Sequence, residues 1–241
     1  MRKRSFFSLP DFKGLRLRYD GPEILDVEKL PRHRLKKIYQ QLSFINRLLG
    51  IDRFQVRFFK ELLIKNQNLR VAEIGPGGGE KILKLKEVAK KFDRKVQFEV
   101  FDISPEVLKL CQDKLGCENI KYRACDFTST REKYDLIVLT NVLHHLGPRE
   151  KRSLLRSCIQ RASFVVVTDL KRSGMSLILW WFLTRCILFF YDPITRDDGE
   201  TSILKGFSKT EAKEFAQEMP AEYQVYSRGA LIHFIFLNLQ Q

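Results

Sequence analysis

The sequence predicts an α/β fold: a doubly wound, mostly parallel sheet closed by an antiparallel hairpin. Three observations predict it. Short β-rich runs alternate with helical stretches between residues 70 and 170, the rhythm of βαβ units. The first of these runs breaks into the glycine turn EIGPGGG (73–79). Two final apolar runs are separated only by Arg228-Gly229-Ala230, a hairpin-length connection.

Residues 1–31 mix Pro10, Gly14, Gly21 and Pro31 with charges and read as an irregular arm. From Arg32 to about Asn66, Leu35, Ile38, Leu42, Ile45, Leu48 and Leu49 recur at helical spacing, which predicts two amphipathic helices with Gly50 ending the first. Strands are then expected over RVAEI (70–74), KVQFEVF (95–101), NIKYRAC (119–125), YDLIVLT (134–140) and SFVVVTDL (163–170). Helices near 78–92, 104–115 and 148–161 supply right-handed crossovers. The apolar insert SLILWWFLTRCILFFY (176–191) reads as a helix, TRDDG (195–199) as a turn, and residues near 208–218 as another helix. EYQVYS (222–227) and LIHFIFLNL (231–239) form the edge hairpin. One domain is expected, with residues 1–66 as a basic arm and helical cap on a sheet domain over 67–241.

The chain of 241 residues carries a formal charge of +14. Residues 1–70 hold 17 Lys/Arg against 7 Asp/Glu, so most of the surplus belongs to the N-terminal part. It suits an RNA backbone, an anionic membrane surface or a solvated face, and selects none of them. Five cysteines without a C-x-x-C pair, and with no histidine beside them at ligand spacing, predict neither a disulfide framework nor a metal site. MRKRSFFSLP lacks the apolar core of a secretory signal. A cytoplasmic protein is expected.

The glycine turn excludes two nucleotides. A dinucleotide fingerprint starting at Gly75 needs glycine where Glu80 stands, and no Gly-Lys-Ser or Gly-Lys-Thr follows to make a P-loop. What remains is an acid, Glu73, followed by Gly75, Gly77 and Gly79. In open α/β sheets the ligand lies outside the carboxyl ends of the strands, so the residues leaving each strand are candidates. The second strand ends at Phe101-Asp102, where an acid can accept two ribose hydroxyls. The third ends at Cys125-Asp126-Phe127, a carboxylate for an exocyclic amine beside an aromatic ring. The fourth ends in TNVLHHLG (140–147), bringing Asn141, His144 and His145 to the same face.

These motifs together resemble the class I S-adenosylmethionine-dependent methyltransferases over about residues 70–170. EIGPGGG matches that family's acidic-x-Gly-x-Gly-x-Gly motif, Asp102 its ribose-binding acid, and Cys125-Asp126-Phe127 its adenine-contacting turn. The resemblance implies a Rossmann-like sheet of seven strands with a reversed last hairpin. It also implies S-adenosylmethionine as cofactor, held by Glu73, Gly75, Gly77, Gly79, Asp102, Ile103, Asp126, Phe127 and Asn141. His144 or His145 is then the candidate base, with the alternative that the pair is structural. Residues 23–50 and 192–208 are similar to bacterial methyltransferases related to the ubiquinone/menaquinone methylases, often found beside polyketide-type enzymes. That implies a small hydrophobic acceptor: a phenol, quinol or polyketide.

The insert 176–191 is 16 residues long with Thr184 and Arg185 in its middle, shorter than the ~20 apolar residues of a membrane span. It reads as a core helix, or as a lid whose Trp180, Trp181 and Phe182 wall an acceptor pocket and permit peripheral membrane contact. Nucleic acid is a disfavoured substrate, because the Asn-Pro-Pro-aromatic turn common in amino-methylating enzymes is replaced by Asn141-Val142-Leu143-His144. A non-catalytic assembly factor is the other alternative, against which the intact acid and glycine set argues.

Overall fold

Seven strands form one sheet in the computed structural model, which describes residues 12–238. In chain order they are β1 (Asn68–Ile74), β2 (Lys95–Asp102), β3 (Ile120–Ala124), β4 (Tyr134–Thr140), β5 (Ala162–Leu170), β6 (Glu222–Arg228) and β7 (Leu231–Leu237). The spatial order is β3-β2-β1-β4-β5-β7-β6. The first five are parallel, while β7 runs antiparallel to both β5 and β6. This is the expected Rossmann-like sheet with its C-terminal hairpin, and boundaries differ from the sequence reading by a residue or two, as fraying ends do. Residues 1–11 of the arm and Leu239 of the last run lie outside the described residues.

The helices are α1 (Ile24–Val27), α2 (Arg32–Leu49), α3 (Arg53–Lys65), α4 (Glu80–Lys91), α5 (Pro105–Leu115), α6 (Pro148–Arg161), α7 (Gly174–Phe182), α8 (Pro193–Lys205) and α9 (Lys209–Gln217). Their ends carry the expected chemistry. Gly50 stops α2 at φ 64°, Ser104 caps α5 with Pro105 behind it, and Ser208 and Glu211 form a capping box on α9.

Alternation along the strands divides the core. Val71, Leu136 and Val138 face α3, α4 and α5 in a cluster with Phe59, Leu63 and Leu85. Ala72, Ile137 and Leu139 face α6 and α9 in a cluster with Leu155, Phe215 and Phe234. Both faces of the inner strands are therefore buried, which is why β1, β4 and β5 read as near-continuous apolar runs, whereas the edge strands β3 and β6 are largely exposed. A third cluster joins α2, α7 and α8 through Ile45, Leu177, Trp180, Leu183, Ile203 and Leu204.

Two expectations for the insert change. The segment 176–191 is not one helix: α7 ends at Phe182, a π-helical turn covers Leu183–Ile187, and the chain then bends. Arg185 interrupts the apolar run for a reason, since it is buried, 3.8 Å from Glu200, and stacked on Trp181. TRDDG is not a turn but lies inside α8, which Asp192 caps through the Ile194 amide with Pro193 in the first turn. Gly199 misled the reading because its role is packing: a Cβ there would stand 1.9 Å from Cζ2 of Trp180. The indole cannot swing away freely, because its Nε1 donates to the Arg196 carbonyl at 2.9 Å. Gly199→Ala gains helix propensity of up to ~1 kcal/mol but overpacks the site at a cost of ~1–3 kcal/mol. The overpacking wins, so its melting temperature falls by a few degrees; an unchanged or raised value would contradict this packing.

The arm is more ordered than its composition suggests. Arg18 donates to the carbonyls of Lys205 (2.7 Å), His144 (3.0 Å) and Leu146 (3.2 Å), and Asp198 accepts from the amides of Ile24 (2.7 Å) and Leu25 (3.0 Å). Part of the basic arm is thus a strap across the carboxyl ends of the strands. Near it Lys151 is buried with its ammonium over the Phe207 ring at 4.9 Å. Burial, then the neighbouring Arg18, pushes it down to about 7. The unfolded chain keeps that proton to higher pH, so stability rises with pH through the window from about 7 toward the ordinary lysine value of 10.5. Lys151→Met removes this slope and raises the melting temperature at pH 7, which thermal scans at pH 7 and pH 9.5 check.

Candidate active site

Register aligns the carboxyl ends of three neighbouring strands: Ile74 pairs with Phe101 of β2 and Leu139 of β4. The chain leaves β1 toward β2 and β3 on one side, and β4 and β5 lie on the other, so the loops part at the β1/β4 boundary. That topological switch is where α/β sheets bind ligands. A cavity of about 1690 Å³ opens there.

The glycine turn forms its floor. Gly75, Gly77 and Gly79 adopt φ of 66°, 54° and 79°, the left-handed region where a side chain is strained. Space excludes a side chain as well: a Cβ on Gly75 would lie 2.7 Å from Val142, and one on Gly79 2.8 Å from the Cys111 sulfur. The alternate glycines are therefore a requirement of the turn itself. Tyr39 of α2 covers it, 3.5 Å from where a Cβ of Gly77 would stand.

Glu73, at the end of β1, is 1% exposed, with Lys81 Nζ 3.7 Å from its Oε1. Burial pushes Glu73 up to about 8 against the pull of Lys81, and burial pushes the Lys81 amine down. Glu73 Oε2, Lys81 Nζ and Asn141 Oδ1 are buried without a hydrogen-bond partner among the described residues. Buried polar atoms are seldom left so. Asn141 also holds φ at 54°, with its amide donating to the Thr168 carbonyl at 2.9 Å. Strain and orphaned atoms converge here on one wall of the cavity.

Asp102 ends β2 in the cavity and accepts the Ser104 amide at 2.8 Å; burial raises it above the ordinary aspartate range. Ile103 beside it is 81% exposed, a bare apolar surface at the rim. Asp126 is exposed and accepts from the amide and hydroxyl of Thr128 (2.8 and 2.9 Å). The Phe127 ring is buried, edge-on to Phe101 at 5.0 Å, so it shapes the cavity wall from the core and presents no open ring face.

The histidines sit on a short 3-10 turn, Leu143–His145, after β4. His144 is buried, and its Nδ1 lies 2.6 Å from Asp169 Oδ1 at the end of β5, so Nε2 is the nitrogen left for other chemistry. Burial alone would raise Asp169; the His144 ring and the Leu170 amide outweigh it and hold it low. His145 stacks beside His144 at 4.2 Å. Burial works against its charge, yet Asp26 at 3.2 Å and Glu23 carry it above its ordinary value. The wall beyond them is apolar, with Leu179, Trp180, Leu183 and Ile203. Of the three residues expected there, Trp180 lines the cavity, whereas Phe182 is exposed and Trp181 packs on Arg185.

Residues 71–162 match the methyltransferase-domain family. The match runs from β1 to the first residue of β5. No curated protein matches the sequence. Among solved structures, the chain resembles the plantazolicin methyltransferase BamL, solved with a triazolic desmethylPZN analog and SAH, with a TM-score of 0.61 and 13% identity over 86% of this chain and 97% of that one. It also resembles magnesium protoporphyrin IX methyltransferase (ChlM) of Synechocystis PCC 6803, solved with bound SAM, at a TM-score of 0.54 and 13% identity over 85% and 90%. The CMeT domain of the citrinin polyketide synthase is similar at 0.56 and 13%, over 86% of this chain and 65% of that one. Identities this low establish the fold and leave each neighbour's chemistry its own.

Four residues of the site were not picked out in the sequence: Glu23, Tyr39, Lys81 and Asp169. Asp169 was within reach of the strand-end rule, since it closes the run SFVVVTDL. Lys81 stands two residues after Gly79, in the first turn of α4. Glu23 and Tyr39 had no signal, because they belong to the arm and cap and meet the site only in three dimensions.

Proposed function

We propose that this protein transfers a methyl group from S-adenosylmethionine to an oxygen or carbon of a small hydrophobic acceptor. The observation that carries the reading is the asymmetry of this cavity, with acids and orphaned polar atoms over the glycine turn at one end and apolar walls beside a histidine at the other. The residues fit the cofactor. Glu73 offers an ammonium a buried oxygen that accepts no hydrogen bond, and Lys81, within ion-pair reach of Glu73, offers a carboxylate an amine that donates none; Asp102 can accept ribose hydroxyls, and Ile103 can pack on the base. The sulfonium supplies an already activated methyl group. The protein's task is then alignment and exclusion of water.

His144 would receive or steer the acceptor's proton at Nε2, with Asp169 fixing the ring as a carboxylate orients a catalytic imidazole. The segment 32–66 would cap the cavity through Tyr39 and Ile45, which supports reading 1–66 as part of the same domain. Flanking segments similar to the quinone-methylase group support a phenol, quinol or polyketide-like acceptor. Incubating the protein with methyl-labelled cofactor and such compounds tests it: label in the organic extract is expected, and label appearing only in RNA would move the reading to nucleic acid.

Among the described residues, no helix is long and apolar enough to cross a membrane. Met175, Ile178, Phe182, Ile187, Phe189 and Phe190 are nevertheless exposed together on and after α7, more apolar surface than single scattered residues present. They would rest on the face of a membrane from which a greasy acceptor enters. Co-sedimentation with anionic vesicles is expected, and protein left wholly in the supernatant would contradict it.

A further inference from the structure

We propose that Glu23, His144 and His145 form a binding site for one divalent transition-metal ion. Their ligand atoms lie within 4.8 Å of one another. Glu23 Oε1 is 3.7 Å from His144 Nε2 and 3.6 Å from His145 Nδ1. Ligand bonds of ~2.0–2.2 Å in a tetrahedral shell set donors about 3.4 Å apart, so both carboxylate–imidazole separations are within a few tenths of an ångström of that spacing, and the two ring nitrogens, no more than 4.8 Å apart, approach each other as the ion binds.

Two further observations point to a ligand. Glu23 is 3% exposed, and its Oε1 has no hydrogen-bond partner among the described residues although it faces both rings. His144 is oriented by Asp169 through Nδ1 at 2.6 Å, leaving Nε2 toward Glu23. A carboxylate on the far nitrogen is the usual support of a metal-bound histidine. Two other groups face the place: Lys205 Nζ is 3.4 Å from Glu23 Oε1 and 3.6 Å from Asp26 Oδ2, and Asp26 Oδ1 is 3.2 Å from His145 Nδ1. The lysine lies within ion-pair reach but makes no hydrogen bond to Oε1. It can turn to Asp26 when a cation takes Glu23.

Two imidazoles and one carboxylate favour Zn²⁺, Co²⁺, Fe²⁺ or Mn²⁺ over Ca²⁺ or Mg²⁺. Three protein ligands leave a coordination position open, the pattern of reactive rather than structural sites, and all three residues line the cavity. Resting on the methyltransferase reading, that position would take the acceptor's oxygen and ease loss of its proton to solvent. With the ion bound, His144 acts as a ligand and no longer as the proton acceptor. No spacing in the sequence suggested this site, since its carboxylate lies on the arm, far from the His-His pair in the chain.

The test uses the full chain, tag-free, without cofactor or acceptor, so that it stands apart from methyl transfer. Co²⁺ is titrated while visible absorption is recorded, and Zn²⁺ binding is measured by calorimetry. One ion per chain is expected. Glu23→Gln and His145→Ala should each weaken binding at least about 100-fold, and Asp169→Asn about 10–100-fold, the range for groups that support a ligand. Circular dichroism melts confirm that each variant is folded, and His33→Ala should change nothing. Absence of binding by the wild-type chain overturns the proposal, as does binding that survives both ligand variants. Binding gained only by Lys205→Met overturns it too, because the ammonium is then the native counter-charge.

Discussion

Replacing Asp102 by alanine weakens S-adenosylmethionine binding by about 100-fold or more. A hydrogen bond to a charged group contributes ~1.5–3 kcal/mol, the ribose offers two hydroxyls, and each 1.4 kcal/mol is a tenfold change in affinity. The carboxylate is costly for the free protein to keep, since burial raises it above the ordinary range; a side chain that gains hydroxyl donors on binding recovers that cost. Asp102 also accepts the Ser104 amide at the entry to α5, so alanine loosens the turn as well. Asp102→Asn separates the two effects, because its amide oxygen can keep the Ser104 bond while the charge is lost. Calorimetry on both variants is expected to show weaker binding, less severe for asparagine. Wild-type affinity in Asp102→Asn and Asp102→Ala would remove the ribose role.

His144→Gln is expected to leave cofactor affinity unchanged and slow methyl transfer by roughly 10²–10⁴-fold, the contribution of a positioned acid or base. Glutamine is preferred to alanine because Asp169 is fully buried, and stranding a buried carboxylate costs ~3–5 kcal/mol. Asp169 also keeps two backbone donors, the amide of residue 144 at 3.2 Å and that of Leu170 at 2.7 Å. Thermal melting establishes that the variant is folded, and single-turnover assays with saturating cofactor isolate the transfer step. Full turnover across pH would show that the His144 ring packs the site and does no chemistry.

What the sequence disclosed and what it hid follow from the range of the interactions. The inner strands of the sheet were legible because both their faces are buried and β-branched runs such as Val165–Val167 favour extended backbone. The glycine turn was legible because Gly75 and Gly79 answer a local demand, positive φ and no room for a Cβ. The placement of Asp102 and Asn141 in the cavity lining followed from the rule that ligands sit beyond strand ends. The failures are tertiary. Gly199 was read as a turn residue because nothing local reveals that the Trp180 indole occupies its Cβ position. Arg18 and Glu23 looked like part of a solvated arm, yet their partners are His144, Leu146 and Lys205, more than a hundred residues away. Phe127 was read as a partner for a base from its place beside Asp126, whereas its ring packs into Phe101 and Tyr134.

The central claim is that the turn from Glu73 to Gly79 and the acid Asp102 hold an adenosine joined to methionine. Calorimetric titration of the purified chain with S-adenosylmethionine and S-adenosylhomocysteine, with NADH as control, tests it most directly. Micromolar binding of the first two with one site per chain, and none of NADH, is the predicted result. Failure to bind either, by a chain that melts cooperatively, would contradict it and leave a methyltransferase fold used for something other than methyl transfer.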